Sequence, residues 1–287
     1  MTPRSHEWLE ADGFGGFASH TTDLRRTRRY HALLNVARHP PTDRRVLVNG
    51  VEAVVDLEGE RFGLESHTYA GPAESEAPVT TRDGRHPATS FQSEPWPTWT
   101  HDLGGGVSVE QSVLVPRGEA AVILSWRLKG RTDVSATLTV RPFLSGRDYH
   151  ALHRENDAFN FLVDAHPATG RFGFHPYASE PAFVAVTNGR FVPESLWYRS
   201  FLYAEEIERG LDGIEDLASA GTFTFDLRQG EALLVLGTHA ATNSLDVANL
   251  AREVAARRER EKARREAAAS PLERAVPAYV VTRDEGR

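Results

Sequence analysis

Between residues 30 and 238, apolar side chains recur in short or alternating runs separated by polar turns, the pattern of half-buried extended chain. Runs at 45–49, 51–57, 107–115, 121–128, 134–140, 159–163, 183–186, 196–203, 222–227 and 232–237 predict strands. Between them stand Asn49-Gly50, Glu58-Gly59, Asp83-Gly84, Gly104-Gly105-Gly106, Lys129-Gly130, Asn188-Gly189 and Gln229-Gly230, pairings that reach positive φ at little steric cost. No helical period interrupts the series. The expected fold class is therefore all-β: one large antiparallel sandwich. Residues 70–87, rich in Pro, Ser, Glu and Gly, read as a surface loop, and residues 210–221 as a second one.

The period then changes. Residues 243–269 contain neither Gly nor Pro, and Asn243 or Ser244 supplies a helix N-cap. Leu245, Leu250 and Val254 form one apolar stripe, but beyond Ala255 the segment is polar on every side. Glu253 with Arg257 and Glu261 with Arg265 are i, i+4 pairs, each stabilising by only about 0.2–0.5 kcal/mol. Such a helix either bridges domains or packs on a partner. Ser270-Pro271-Leu272-Glu273 reads as the start of another helix. The expected organisation is a β domain over residues 1–240 and a helical linker over 241–287 leading to a further domain. A helical tail folded back on the sandwich is the alternative.

Composition narrows the function classes. The chain has 287 residues, 40% of them hydrophobic and 25% charged, as in a globular protein. No apolar run is long enough to span a bilayer as a helix, and the first sixteen residues carry no continuous hydrophobic stretch, so no membrane partner and a cytoplasmic location are expected. The absence of cysteine excludes disulfides, thiolate metal sites and cysteine nucleophiles. A net charge of −7 argues against nucleic acid, and the cluster Arg25, Arg26, Arg28 and Arg29 lacks interleaved aromatics.

Gly13-Phe14-Gly15-Gly16-Phe17 follows no strand and lacks a third phosphate-binding glycine, so it reads as a tight turn and no nucleotide cofactor is expected. His150 and His153, with Glu155 and Asp157 nearby, offer no third metal ligand at a defined spacing, so no metal is expected. There is no Gly-x-Ser-x-Gly, and Ser125, between Leu124 and Trp126, reads as a strand residue. Arg28-Arg29-Tyr30-His31 and Arg147-Asp148-Tyr149-His150 are the notable clusters. Planar cations beside an aromatic and a histidine suit either a buried Arg–carboxylate scaffold or recognition of a hydroxylated ligand or partner surface. In Pro95-Trp96-Pro97-Thr98-Trp99 the two rings, three residues apart, suit core packing better than a sugar platform, although Trp96 and Trp99 remain binding candidates.

Taken together, several segments resemble a known family. Glu7-Trp8-Leu9, Gly13-Phe14-Gly15-Gly16-Phe17-Ala18-Ser19 and Thr27-Arg28-Arg29-Tyr30-His31-Ala32-Leu33-Leu34 are similar to the opening of bacterial and archaeal-type glycogen-debranching enzymes. Arg141-Pro142-Phe143, Arg147-Asp148-Tyr149-His150, Trp197-Tyr198-Arg199 and Glu208-Arg209-Gly210-Leu211-Asp212 continue the likeness in the same order. Asp12 and Ala32 depart from the usual Asn and Gly of that pattern. The resemblance implies a galactose-mutarotase-like β super-sandwich that packs on an (α/α)6 catalytic barrel hydrolysing α-1,6 branches of an α-glucan. It also implies that the catalytic carboxylates reside in the barrel and that this chain carries none of them. A stand-alone carbohydrate-binding module and a mutarotase-like sugar enzyme are the alternatives.

Overall fold

A computed structural model describes residues 6–71, 77–268, 270–276 and 279–283. Two antiparallel sheets face each other across one core. The ten-stranded sheet runs Glu7–Ala11, Phe17–Thr21, Ala32–His39, Thr42–Leu57, Ala136–Asp148, Ile214–Asp226, Arg190–Leu202, His67–Tyr69 and Val79–Thr81, with Glu60–Gly63 added to the Thr42–Leu57 strand. The eight-stranded sheet runs Val163–His166, Arg171–Phe174, Phe183–Thr187, Ala232–Gly237, Ala121–Gly130, Val107–Leu114, Thr98–Gly104 and Ala88–Gln92. Alternation decides which side chains turn inward. In Thr98–Gly104, Trp99, His101 and Leu103 are buried while Thr100 and Asp102 face solvent.

The all-β expectation holds, with local differences that have identifiable causes. A short helix, α1 (Ala204–Glu208), stands between two strands of the large sheet, and α2 (His239–Thr242) follows the last strand. The expected loop over 210–221 ends early, because the strand Ile214–Asp226 already begins at Ile214. The expected strand over 159–163 is absent apart from Val163. Asn156 Oδ1 accepts from Ala158 N (3.1 Å) and Asn160 Oδ1 from Leu162 N (3.0 Å), and these side-chain turns hold the chain out of a ladder. Residues 79–81 of the expected loop 70–87 form an edge strand; residues 72–76 lie outside the described residues.

Gly15 and Gly16 behave as tight-turn residues. A Cβ on Gly15 (φ +100°) would lie 2.6 Å from Pro41 O, and one on Gly16 would lie 2.4 Å from Asn35 O.

The long helix α3 (Leu250–Glu266) starts later than the pattern predicts. Asp246 and Asn249 exchange side-chain bonds with each other's backbone N–H (3.1 and 2.9 Å), which locks a turn where the helix was expected to begin. The expected helix end at residue 269 lies outside the described residues, while a last short helix, α4 (Pro271–Ala275), carries the expected Ser270 cap. The described part of α3 lies on the outer face of the eight-stranded sheet. Leu250 and Val254 join Leu114, Ile123, Val184, Val186, Leu233 and Val235 in a second apolar cluster. This explains the unbroken apolar run Ala232–Gly237, which is buried on both faces: Leu234 and Leu236 inward, Leu233 and Val235 under the helix.

Beyond that cluster, ion pairs hold α3. Arg257 and Arg260 reach the Glu119 carboxylate at 2.8 Å each, Arg258 meets Glu231 (2.8 Å) and Ser125 Oγ (2.7 Å), and Arg265 pairs with Glu10. The part of α3 that is polar on every side thus packs on its own domain, because the turns before strands Ala121–Gly130 and Ala232–Gly237 and the edge strand Glu7–Ala11 place carboxylates opposite its arginines. No helix among the described residues is long and apolar enough to cross a membrane.

Candidate functional site

The two Arg/Tyr/His clusters, far apart in sequence, meet at one end of the ten-stranded sheet. Arg28, Arg29 and Tyr30 occupy the connection between strands Phe17–Thr21 and Ala32–His39, and Arg147 and Asp148 end the strand Ala136–Asp148. Tyr30 packs its ring 5.5 Å from Tyr149 and 5.8 Å from His150, and its hydroxyl lies 3.1 Å from His150 Nδ1. Arg29 Nη1 donates to His150 O (3.0 Å) and Arg29 Nη2 to Asp212 O (3.0 Å).

Beneath this rim lies a buried ion pair between Arg147 and Glu215, with Glu215 0% exposed. Tyr203 Oη also donates to this carboxylate, as do Asn49 Nδ2 (3.2 Å) and the backbone N–H of His153 (2.9 Å). The rest of the Arg147 fork donates to Asp148 O (3.1 Å), Tyr149 O (3.2 Å) and Arg29 O (2.7 Å). One guanidinium therefore ties the 28–30 connection, the strand end and the 149–150 turn together. Glu206, on α1, accepts Arg29 N (3.2 Å) and faces the Arg29 guanidinium at 3.4 Å.

His31 lies inside this frame, 2% exposed. Thr27 N donates to its Nδ1 (3.1 Å), so the ring proton is on Nε2, which faces Glu7 Oε1 at 3.5 Å. Burial pushes the His31 pKa down, while the hydrogen bond from His31, assisted by Arg28 at 2.5 Å, draws Glu7 down to about 2. His153 is also held neutral by burial; Asp216 O accepts at its Nδ1 (2.8 Å), and Tyr177 Oη donates to its Nε2 (2.5 Å). His150 and His153 face different partners, and among the described residues no three His, Asp or Glu side chains gather in a metal-binding arrangement.

The two tryptophans stand apart from the rim. Trp99 is 0% exposed and donates Nε1 to Thr22 O (2.8 Å), while Trp96 is half-buried against the apolar cluster under α3. Both rings serve packing inside the domain. The sequence pattern also passes over Glu206 and Tyr203 and gives Glu215 no role, and it reads Asn49-Gly50 as a turn although both residues lie inside the strand Thr42–Leu57. An acid at Glu215 on the same strand parity as buried Leu217 and Ser219 is the signal that could have found it. Reading 210–221 as a loop concealed that parity.

What the rim can do follows from which groups are used up. Glu215 has donors on every side and no access to solvent, so it serves as scaffold. Arg29, Tyr30, Tyr149 and His150 keep edges at the surface, beside the exposed apolar side chains Ile207 (46%) and Leu211 (50%). Aromatic edges, guanidinium donors and a small apolar patch on a rigid base make a surface suited to docking.

Comparison with known proteins agrees with the segments quoted above. No curated protein sequence matches the chain. Among solved structures, a bacterial glucoamylase complexed with acarbose is similar at 9% identity and a TM-score of 0.43, over 90% of this chain and 34% of the other. The chain thus spans about a third of the length of that protein. The family model for the N-terminal region of glycogen debranching enzymes matches residues 6–234, and the chain belongs to that family.

Proposed function

We propose that this chain is the non-catalytic N-terminal part of a glycogen-debranching-type glycoside hydrolase, with residues 1–240 as its β domain and 241–287 leading towards a catalytic domain. In this reading the rim of Arg28, Arg29, Tyr30, Tyr149 and His150 docks on the catalytic domain beside the α-glucan cleft. The observation that carries it is the convergence of two distant family-like clusters on one rim, fixed from below by the saturated Arg147–Glu215 pair. Glycoside hydrolysis needs one carboxyl group to give a proton and another to attack or activate water. Glu215 and Glu206, the acids buried beneath the rim, are both engaged by donors from this domain.

The reading predicts that this chain alone releases no glucose from limit dextrin; substantial release would refute it. In the intact enzyme, Ile207→Asp combined with Leu211→Asp lowers hydrolysis while leaving the melting temperature of the 287-residue chain unchanged.

A further inference from the structure

The strand Glu7–Ala11 is an outer edge of the ten-stranded sheet: it pairs with Phe17–Thr21 on one side and, among the described residues, with no strand on the other. Its hydrogen-bond parity follows from the register. Thr22 N donates to His6 O (2.8 Å), so the next hydrogen-bonded pairs along the ladder are Trp8 with His20 and Glu10 with Ala18. Glu7, Leu9 and Ala11 therefore turn their main-chain N–H and C=O groups outward, at intervals of about 6.8 Å. Among the described residues these outward groups meet no backbone partner.

The open edge lies in a groove. Every residue of the strand lines a cavity of about 630 Å³, whose far side is the segment around Tyr279. That segment is tied down by Thr282 N donating to Gly13 O (2.8 Å) and by Arg117 Nη2 donating to Val280 O (2.8 Å). Natural sheets protect a free edge with proline, lysine, a bulge or a covering element. Glu7–Ala11 has neither proline nor lysine, its register with Phe17–Thr21 is unbroken, and the facing segment stands across the cavity. Leu9 is 52% exposed beside the edge, and Tyr279 opposite is 86% exposed.

Charge sorts the occupants. Glu7 pairs with Arg28 (2.5 Å), Glu10 with Arg265 and Arg264 with Glu261 (2.7 Å), while Glu94 interacts electrostatically with Arg265 and Arg117 with Asp12. Arg44 is left over. It donates Nε to Gly15 O (2.7 Å) and stands 5.2 Å from the centre of the Tyr149 ring, but no carboxylate among the described residues pairs with it. A row of unused strand groups, an exposed leucine and one unmatched cation fit an extended peptide segment that carries a carboxylate. A second copy of the strand fits worse. Two-fold antiparallel pairing about Leu9 would offer Arg44 nothing, because Glu7 and Glu10 are already engaged.

We infer that an extended, acid-bearing segment of the adjoining catalytic domain adds to the free edge of Glu7–Ala11 as a further strand. Its main chain bonds Glu7, Leu9 and Ala11, and its carboxylate meets Arg44. The inference rests on the reading that such a domain follows, and it adds the mode of contact and the residues. Arg44 joins the cavity to the docking rim through Tyr149. Tyr279 and Val281, which wall the cavity, belong to the segment that leads towards that domain in this reading.

The test is amide hydrogen exchange, resolved by residue, in the 287-residue chain and in the intact enzyme. Leu9 and Ala11 N–H are expected to exchange about a hundredfold more slowly in the intact enzyme. Trp8 and Glu10 N–H, bonded to the neighbouring strand, are the reference and are protected in both proteins. Leu9→Pro deletes an outward N–H and spares the ladder to Phe17–Thr21, so it should return Ala11 in the intact enzyme to the rate of the shorter chain. Should Leu9→Pro fail to fold, Arg44→Met tests the same contact away from the strand. It should speed Ala11 exchange about fivefold in the intact enzyme and leave it unchanged in the shorter chain, and Arg44→Lys should restore most of the protection. Equal exchange of Leu9 and Ala11 in the two proteins overturns the inference, as does protection that survives Leu9→Pro and Arg44→Met. Protection gained by the 287-residue chain as its concentration rises overturns it too, since a second copy is then the occupant. If exchange is equal while Ile207→Asp with Leu211→Asp still lowers hydrolysis, the strand addition fails and the docking reading stands. If Leu9 and Ala11 are protected as expected but those substitutions leave hydrolysis unchanged, the rim docking fails and the strand addition stands.

Discussion

The sandwich buries two glutamates in opposite ways. Glu215, at the end of the large sheet, is surrounded by Arg147, Tyr203, Asn49 and the His153 N–H. Glu65, in the interior near the small sheet, receives one side-chain donor, Gln111 Nε2 at 2.8 Å; Gln111 Oε1 in turn meets His101 Nε2 at 3.1 Å. Burial raises the Glu65 pKa to about 7 and lowers that of His101 to about 4. The first carboxylate is half of an ion pair. The second sits in a line of groups that burial drives towards their uncharged forms. Only the first arrangement positions anything at the surface, through the Arg147 fork that reaches Arg29, Asp148 and Tyr149. The difference suggests that ionic burial is used where a loop must be fixed and neutral burial where strands only need to be filled.

The largest effect should come from breaking the ion pair on one side. Glu215→Ala leaves the Arg147 guanidinium, 5% exposed, without its carboxylate and should cost about 3–5 kcal/mol in urea unfolding. Glutamate at the other site should behave in reverse. The folded-state pKa of Glu65 is raised, so its contribution is full below about pH 4.5 and is lost as pH rises through about 7. Glu65→Gln keeps an acceptor for Gln111 and removes the ionisation, so it should stabilise the domain by about 2–3 kcal/mol at pH 8 and hardly at all at pH 4. A gain independent of pH would show that Glu65 ionises freely. His101 works against it: its pKa is depressed, so its contribution is full above about 6.5 and disappears as pH falls through about 4.

How far the sequence makes this legible depends on the interaction involved. Two-residue alternation exposed the sandwich, since period 2 with turn residues between runs has few other solutions. Asp246 and Asn249 hid the true start of α3, because their side chains satisfy the backbone as a turn while composition alone still reads as helix. The packing of α3 was hidden for another reason. Arg257 and Arg258 look like solvent-facing charges until Glu119 and Glu231, more than a hundred and about thirty residues away respectively, are known to lie opposite them. The rim is half legible: both Arg/Tyr/His clusters stand out as candidates, but their meeting depends on Glu215, in a strand whose Gly- and acid-rich start resembles a loop. Trp96 and Trp99 could not be told apart by spacing, and the structure places one fully inside and the other under a helix.

Two smaller substitutions compare the sites by removing one donor from each. Gln111→Leu takes away the side-chain donor of Glu65 and leaves His101 Nε2 without its partner, both in the interior. It should cost about 1–3 kcal/mol, and more at pH 8 than at pH 5, because the unassisted carboxyl then resists ionisation further. Asn49→Ala removes one of several donors to Glu215, and it also deletes Asn49 Oδ1, a buried acceptor with no partner among the described residues. Losing a bond to a charged group is worth about 1.5–3 kcal/mol, whereas an unsatisfied buried acceptor costs about 1–3 kcal/mol to keep. These nearly cancel, so Asn49→Ala should fall within about 1 kcal/mol of the parent in urea unfolding. A loss as large as that of Glu215→Ala would mean that the carboxylate depends on Asn49 as Glu65 depends on Gln111, and the contrast between a saturated and a sparsely served glutamate would collapse.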